Sequence, residues 1–211
     1  MGTTFLLVRH GIKEKAIGDV PITPQGIIQA QSTAAHVSRI PIHAIISSPL
    51  LRAIETAECI AAKTNVEIIV DDRLRERANW GDLPEQTFEE FIQMWDKCTR
   101  EPDYIPPIGD SVKSACKRMS SLLTSLVEEY PSGSNIIIVT HGGLITDYIV
   151  NTFSEDVLYH FHPQFIAEQS SLISECSITT LTFDGQNYTI DRFASIEHLM
   201  NEMNEPEEST S

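Results

Sequence analysis

A chain of 211 residues, 41% of them hydrophobic and 7% aromatic, can bury one full core, so a single domain of catalytic size is expected. The formal net charge of −15 excludes a nonspecific binder of nucleic acid or of an anionic membrane, because most of the surface would repel a polyanion. Cys59, Cys98, Cys116 and Cys176 are scattered and form no CxxC pair, which fits reduced thiols better than a disulfide framework or a zinc site. The apolar run at residues 5–8 stops at Arg9, too short for a secretory core, and no stretch reaches the ~18 apolar residues of a membrane helix. These features together predict a soluble, cytoplasmic protein.

Short apolar runs alternate with helical patterns, the signature of βα units and a mostly parallel sheet. Residues 5–8 read as a first strand. Thr23-Pro24 then supplies an N-cap and a first-turn proline, with Ile27, Ala30, Ala34 and Val37 on one helical face. Residues 44–46 form a second strand, and Ser48-Pro49 repeats the cap-plus-proline grammar ahead of Leu50, Ile54, Ala57 and Ala61. A third β-type run covers residues 66–70, followed by an irregular charged stretch and a helix near residues 87–96.

Pro106 and Pro107 break the chain before Ser111, which caps a long helix with Val112, Ala115, Met119, Leu122, Leu126 and Tyr130 on one side. Residues 136–139 are an unbroken β-branched run of the kind buried on both faces of a parallel sheet. Residues 178–193 read as a hairpin turning at Asp184-Gly185, suited to an antiparallel sheet edge. The expected organisation is one catalytic domain, residues 1–196, and an acidic, disordered tail, residues 197–211, that carries five glutamates and no Lys or Arg.

In an open parallel sheet, ligands bind beyond the carboxyl ends of the strands. The first strand delivers Arg9-His10-Gly11 there, the second Ser47-Ser48-Pro49 with Arg52 one turn on, the third leads toward Glu76, and the run at 136–139 delivers His141-Gly142. Arginines match phosphate oxygens with paired, permanently charged donors, so Arg9 and Arg52 suit a phosphoryl dianion. Gly11 and Gly142 allow close main-chain approach. A held imidazole presents a lone pair for attack at phosphorus, which makes His10 the candidate nucleophile. Glu76 is the candidate proton donor, and His141, if protonated, a phosphoryl ligand between half-reactions.

The motifs Leu7-Val8-Arg9-His10-Gly11, Thr23-Pro24-Gln25-Gly26, Ser47-Ser48-Pro49 through Arg52 to Thr56, Leu74-Arg75-Glu76, Gly109-Asp110-Ser111 and Thr140-His141-Gly142-Gly143 occur in one order. In that order and spacing the chain resembles the histidine phosphatase (phosphoglycerate mutase-like) superfamily. The resemblance covers about residues 4 to 195. It implies a three-layer α/β/α sandwich, a phosphohistidine at His10, a phosphate pocket of Arg9, Arg52 and His141 with a contribution from Thr23 and Gly142, Glu76 as proton donor, and no metal or cofactor. The implied activity is that of a histidine acid-type phosphatase acting on a small phosphorylated metabolite or a phosphopeptide.

Two departures stand out. After Gly11 the family often carries Thr or Ser and then Asn, whereas this chain has Ile12-Lys13-Glu14-Lys15-Ala16. The mutases carry Asn after the second His-Gly, where this chain has Gly143, and no matching sugar-acid arginines are evident. Mutase-type transfer and a noncatalytic phosphoryl-binding module are therefore the two rivals.

Some residues also have plain structural readings. Glu76 with Asp82, Glu85, Arg75 and Arg77 fits a surface ion-pair network, and His160 and His162 lack partners for a metal set, so a rim position suits them. Trp80, Phe88, Phe91, Trp95 and Tyr104 have two readings, an apolar pocket wall or, for most of them, helix packing against the core, and the second is preferred.

Overall fold

The computed structural model describes residues 2–201. Its elements are β1 (Thr3–Arg9), α1 (Pro24–Val37), β2 (Ala44–Ser47), α2 (Leu51–Thr64), β3 (Ile68–Val70), α3 (Phe88–Arg100), α4 (Val112–Glu129), β4 (Asn135–Thr140), α5 (Gly142–Thr152), α6 (Glu155–Phe161), α7 (Phe165–Glu168), β5 (Ile178–Phe183), β6 (Tyr188–Ser195) and α8 (Glu197–Asn201). The six strands form one sheet in the order β3-β2-β4-β1-β5-β6. The first four run parallel, and the β5–β6 hairpin adds antiparallel to β1.

Alternation along the central strands assigns the layers. Phe5 and Leu7 of β1, with Ile136 and Ile138 of β4, pack under α4, α5, α6 and α7. Leu6 and Val8, with Ile137 and Val139, pack under α1 and α2. β4 therefore needs apolar side chains on both faces, which its β-branched run supplies. This is the α/β/α sandwich expected, with the mostly parallel sheet bounded by one hairpin.

Thr23 caps α1 by accepting from the Gly26 N–H at 3.0 Å, and Ser111 caps α4 by accepting from Ser114 N–H at 3.1 Å. Thr87 and Glu90 close a reciprocal capping box at the start of α3. The Ser48-Pro49 reading needs correction: α2 begins later, at Leu51, and Ser48 does not cap it. Asp19 accepts from the Leu51 N–H at 2.8 Å instead, which frees the Ser48 hydroxyl for a histidine. Arg77 is likewise buried, not part of a surface network, because its guanidinium pairs with Asp147.

The acidic C-terminal segment begins as helix. α8 sets His198 against α1, with Nε2 3.0 Å from the Thr33 hydroxyl. Residues 202–211, where most of the tail reading falls, lie outside the described residues. The four cysteines are free thiols, and no helix among the described residues is long and apolar enough to cross a membrane.

Met119 on α4 is fully buried against the sheet. Met119→Ala removes that packing and leaves a cavity, so it should cost about 2–5 kcal/mol of stability, read as a lowered urea midpoint at unchanged slope.

Candidate active site

Register brings the two His-Gly motifs together. Arg9 of β1 pairs with Thr140 of β4, so the following residues, His10 and His141, leave the sheet side by side. The His10 N–H donates to the Thr140 carbonyl at 2.9 Å, and the imidazole centroids lie 5.2 Å apart. Both rings are buried.

The His10 Nδ1 lies 2.8 Å from the Gly11 carbonyl oxygen. A carbonyl only accepts, so the ring proton sits on Nδ1 and the lone pair on Nε2. The Arg52 Nε–H donates toward that Nε2 at 3.2 Å. Burial, with the cations Arg52 and Arg9 adding to it, holds the His10 imidazole well below its ordinary value of 6.5. His10 is therefore neutral at neutral pH, the form that a nucleophile requires.

His141 is held below 6.5 in the same way, by burial first and then by Arg52. Its Nε2 lies 2.7 Å from the Ser48 hydroxyl, whereas its Nδ1 is buried without a protein partner. Arg9 Nε and Arg52 Nη1 are buried without hydrogen-bond partners too. Three nitrogens, from β1, α2 and the end of β4, are thus desolvated and without partners, and the two guanidinium donors among them cost free energy unless an acceptor enters.

Arg9 reaches the cup already clamped on its far side. Its Nη2 bonds Glu175 at 2.6 Å and its Nη1 donates to the Ile173 carbonyl. Arg52 Nη1 is 3.8 Å from Asp19, an ion pair at the margin of contact. The network leaves the inner guanidinium edges toward His10.

Glu76 stands across the same cavity, and several contacts fix it there. Thr140 donates to the Leu74 carbonyl at 2.8 Å, and Arg118 donates to the Arg73 and Arg75 carbonyls while its Nε bonds Asp110 at 2.8 Å. Gly109, at φ +100°, lies so close to the Arg77 carbonyl that a Cβ would come within 2.3 Å of that oxygen, and Asp110 N–H donates to it at 2.7 Å. The Gly109-Asp110-Ser111 motif thereby latches the segment that carries the glutamate. Glu76 accepts from the Arg77 N–H at 3.0 Å and the Gly143 N–H at 3.1 Å.

Of the residues read from the sequence, Arg9, His10, Arg52, Glu76 and Gly142 line one cavity of about 290 Å³, and His141 sits directly behind His10. Thr23 lies elsewhere. Its hydroxyl is engaged by Gly26 N–H and the Ile12 carbonyl, and it does not line this cavity. His160 and His162 are also remote: His160 packs on Phe161, and His162 approaches Glu168 at 3.7 Å.

Sequence reasoning missed Lys13, Arg77 and Asp147. Lys13 lines the cavity in the very segment where the family pattern has Thr and Asn, and burial followed by repulsion from Arg52 and Arg9 lowers its ammonium from the ordinary value. Its place shortly after His10 was the available signal. Arg77 Nη1 bonds Asp147 at 2.5 Å, both side chains are almost wholly buried, and burial pushes the Asp147 carboxyl up to about 7 against the pull of Arg77. The arginine also lies 3.7 Å above the Trp95 ring.

A family profile described as histidine phosphatase superfamily (branch 1) matches residues 5–196. The chain is 30% identical to a probable phosphoglycerate mutase GpmB of Proteus mirabilis, over 92% of this chain and 93% of that one. It is 27% identical to an uncharacterized phosphatase PhoE of Bacillus subtilis, over 93% and 97%. A solved structure of phosphoserine phosphatase from Entamoeba histolytica, in complex with 3-phosphoglyceric acid, is similar at TM-score 0.71 and 28% identity, over 93% and 99%. A mycobacterial glucosyl-3-phosphoglycerate phosphatase shares the fold at TM-score 0.72 and 23% identity, over 92% and 100%. With ordered motifs, sandwich topology and paired histidines all in agreement with that profile, the chain belongs to the histidine phosphatase superfamily, branch 1.

Proposed function

We propose that this protein is a phosphatase that hydrolyses a small phosphomonoester through a phosphohistidine on His10. The observation that carries the reading is a neutral His10 whose unprotonated Nε2 faces Arg52 beside buried, unsatisfied guanidinium nitrogens, with Glu76 facing the same cavity. Nε2 attacks phosphorus and the phosphorus–oxygen ester bond breaks, while the Glu76 carboxyl gives its proton to the departing alkoxide. Water then attacks the phosphohistidine, the phosphorus–nitrogen bond breaks, and the Glu76 carboxylate takes the water proton. Arg9 and Arg52 stabilise the equatorial oxygens throughout, and Lys13 adds charge at the same end; His141, uncharged and absent from the cavity lining, does not serve as the cationic ligand expected. No step calls for a metal or cofactor.

Relatives bearing phosphatase names support this class of reaction. Mutase-type transfer has less support, because Gly143 stands after the second His-Gly and a side chain there would collide with Trp95 and Glu76. A noncatalytic module would not need a nucleophile and a carboxyl in one cavity.

With para-nitrophenyl phosphate in the presence of EDTA, the protein should turn over and accumulate an acid-labile, base-stable phosphoenzyme. His10→Ala should lose both while keeping its unfolding midpoint; turnover by that variant would refute the nucleophile. Glu76→Gln should slow glycerol 3-phosphate on the order of 10²-fold but the activated nitrophenyl ester only a few-fold. Equal losses would move the acid elsewhere.

Stability should report the depressed imidazoles. Unfolded histidines titrate near 6.5, and both folded rings titrate lower, so their contribution is complete above that value and is lost as pH falls below it. Chemical denaturation at about pH 7.5 and about pH 5.5 should show the loss, and His141→Gln should lessen it. An unchanged slope in that variant would contradict a neutral His141.

A further inference from the structure

The apolar face of α3 does not serve the core. Phe88, Phe91, Ile92, Trp95 and Thr99 follow helical spacing and all line the active-site cavity, while Cys98 is the helix's only buried residue. Phe88 and Ile92 remain 55% and 40% exposed, although amphipathic helices ordinarily bury such a stripe. Trp80 extends the wall, edge-on to Phe88 at 4.9 Å between ring centroids, and its indole N–H is already bonded to the Gln86 carbonyl. It therefore offers the cavity apolar surface.

This wall begins where the chemistry ends. A Cβ built on Gly143 would lie 2.5 Å from Trp95 Cη2 and 2.6 Å from Glu76 Oε1, so the indole edge and the candidate acid are immediate neighbours. An alcohol protonated by Glu76 emerges alongside Trp95, whose ring is steadied by the Arg77 guanidinium.

Polar recognition at that end is largely taken. The Thr99 hydroxyl accepts from Arg77 and donates to the Trp95 carbonyl, and Thr146 donates to the Gly142 and Gly143 carbonyls. The Gln169 amide donates to the Ile166 carbonyl, and the Asn79 amide to Asp82. Arg77, the cation that reaches α3, is already bonded to Asp147 and to Thr99. Apart from the Ser170 hydroxyl, a sugar hydroxyl or a second carboxylate entering here would lose water and find few partners.

We propose, resting on the phosphatase reading of this site, that its substrate is the phosphomonoester of a compact apolar alcohol whose ring or hydrocarbon lies between α3 and Trp80. Charge complementarity fixes its orientation: the phosphoryl end meets Arg9, Lys13 and Arg52, and the uncharged end meets the aromatic wall. A volume of about 290 Å³ admits a phosphoryl group and a compact leaving group, at the small end of ligand pockets.

Both tryptophans of the chain line this cavity, so intrinsic fluorescence reports on it directly. Titration with benzylphosphonate and methylphosphonate, which are not hydrolysed, should give a Kd about tenfold lower for the benzyl compound, the gain expected from burying one ring. In kinetics, 1-naphthyl phosphate should exceed phenyl phosphate in kcat/KM by a similar factor, and both should exceed glucose 6-phosphate and 3-phosphoglycerate. Ile92→Gln, at a half-exposed position, and Trp95→Ala should each bring the naphthyl-to-phenyl ratio toward one.

Equal phosphonate affinities, a higher kcat/KM for the sugar or glycerate ester, or an Ile92→Gln ratio unchanged from the parent would overturn the proposal. Because the fluorescence titration needs no turnover, it stays decisive if the protein hydrolyses none of these esters, an outcome that would instead defeat the phosphatase reading.

Discussion

The active site depends on keeping one imidazole uncharged beside two guanidinium groups. Burial removes the water that would solvate an imidazolium, and Arg52 and Arg9 repel the extra proton. The Gly11 carbonyl then fixes the remaining proton on Nδ1. The same arginines that suppress protonation of His10 would attract a phosphoryl dianion, so under the proposed function a single electrostatic arrangement prepares the candidate nucleophile and recruits its target. In a chain of formal net charge −15, such a cup is a local inversion of the molecular field.

Sheet topology makes this possible at low geometric cost. Because β1 and β4 are parallel neighbours in register, the residues that follow them come out at one height. β2 on the other side of β4 supplies Ser48, which orients His141, and α2 then supplies Arg52. Glu76 lacks a strand to place it, and the surrounding latch of Thr140, Gly109, Asp110 and Arg118 substitutes for one. The buried Arg77–Asp147 pair belongs to the same support. Such pairs add little net stability after desolvation, but here the guanidinium also ties Trp95 and Thr99 to the segment after Glu76.

Much of this was legible because strand-end chemistry is local. Arg9, His10, Arg52 and His141 each sit at a fixed step from a recognisable β run, and a parallel sheet collects such positions on one edge. The Ser48-Pro49 cap failed because an N-terminal grammar cannot reveal that a distant aspartate, Asp19, will satisfy the Leu51 N–H. Arg77 was misread for a related reason: a charged residue among charges looks solvated until its partner, seventy positions away in the chain, is known. Pattern placed a helix near residues 87–96 but did not settle what its aromatic residues face. A helix over a cavity and a helix over a core have the same pattern, and only tertiary structure separates them.

The close approach at Gly143 links two parts of the molecule that sequence keeps apart. The backbone there approaches Trp95 and Glu76 so closely that even a methyl group has no room. A side chain at position 143 would therefore require the indole of α3 or the Glu76 carboxyl to move. Any lineage that exchanged this aromatic roof for a polar side chain after the second His-Gly would have to alter both positions in concert, since either change alone leaves a clash or a hole beside Glu76, the candidate acid.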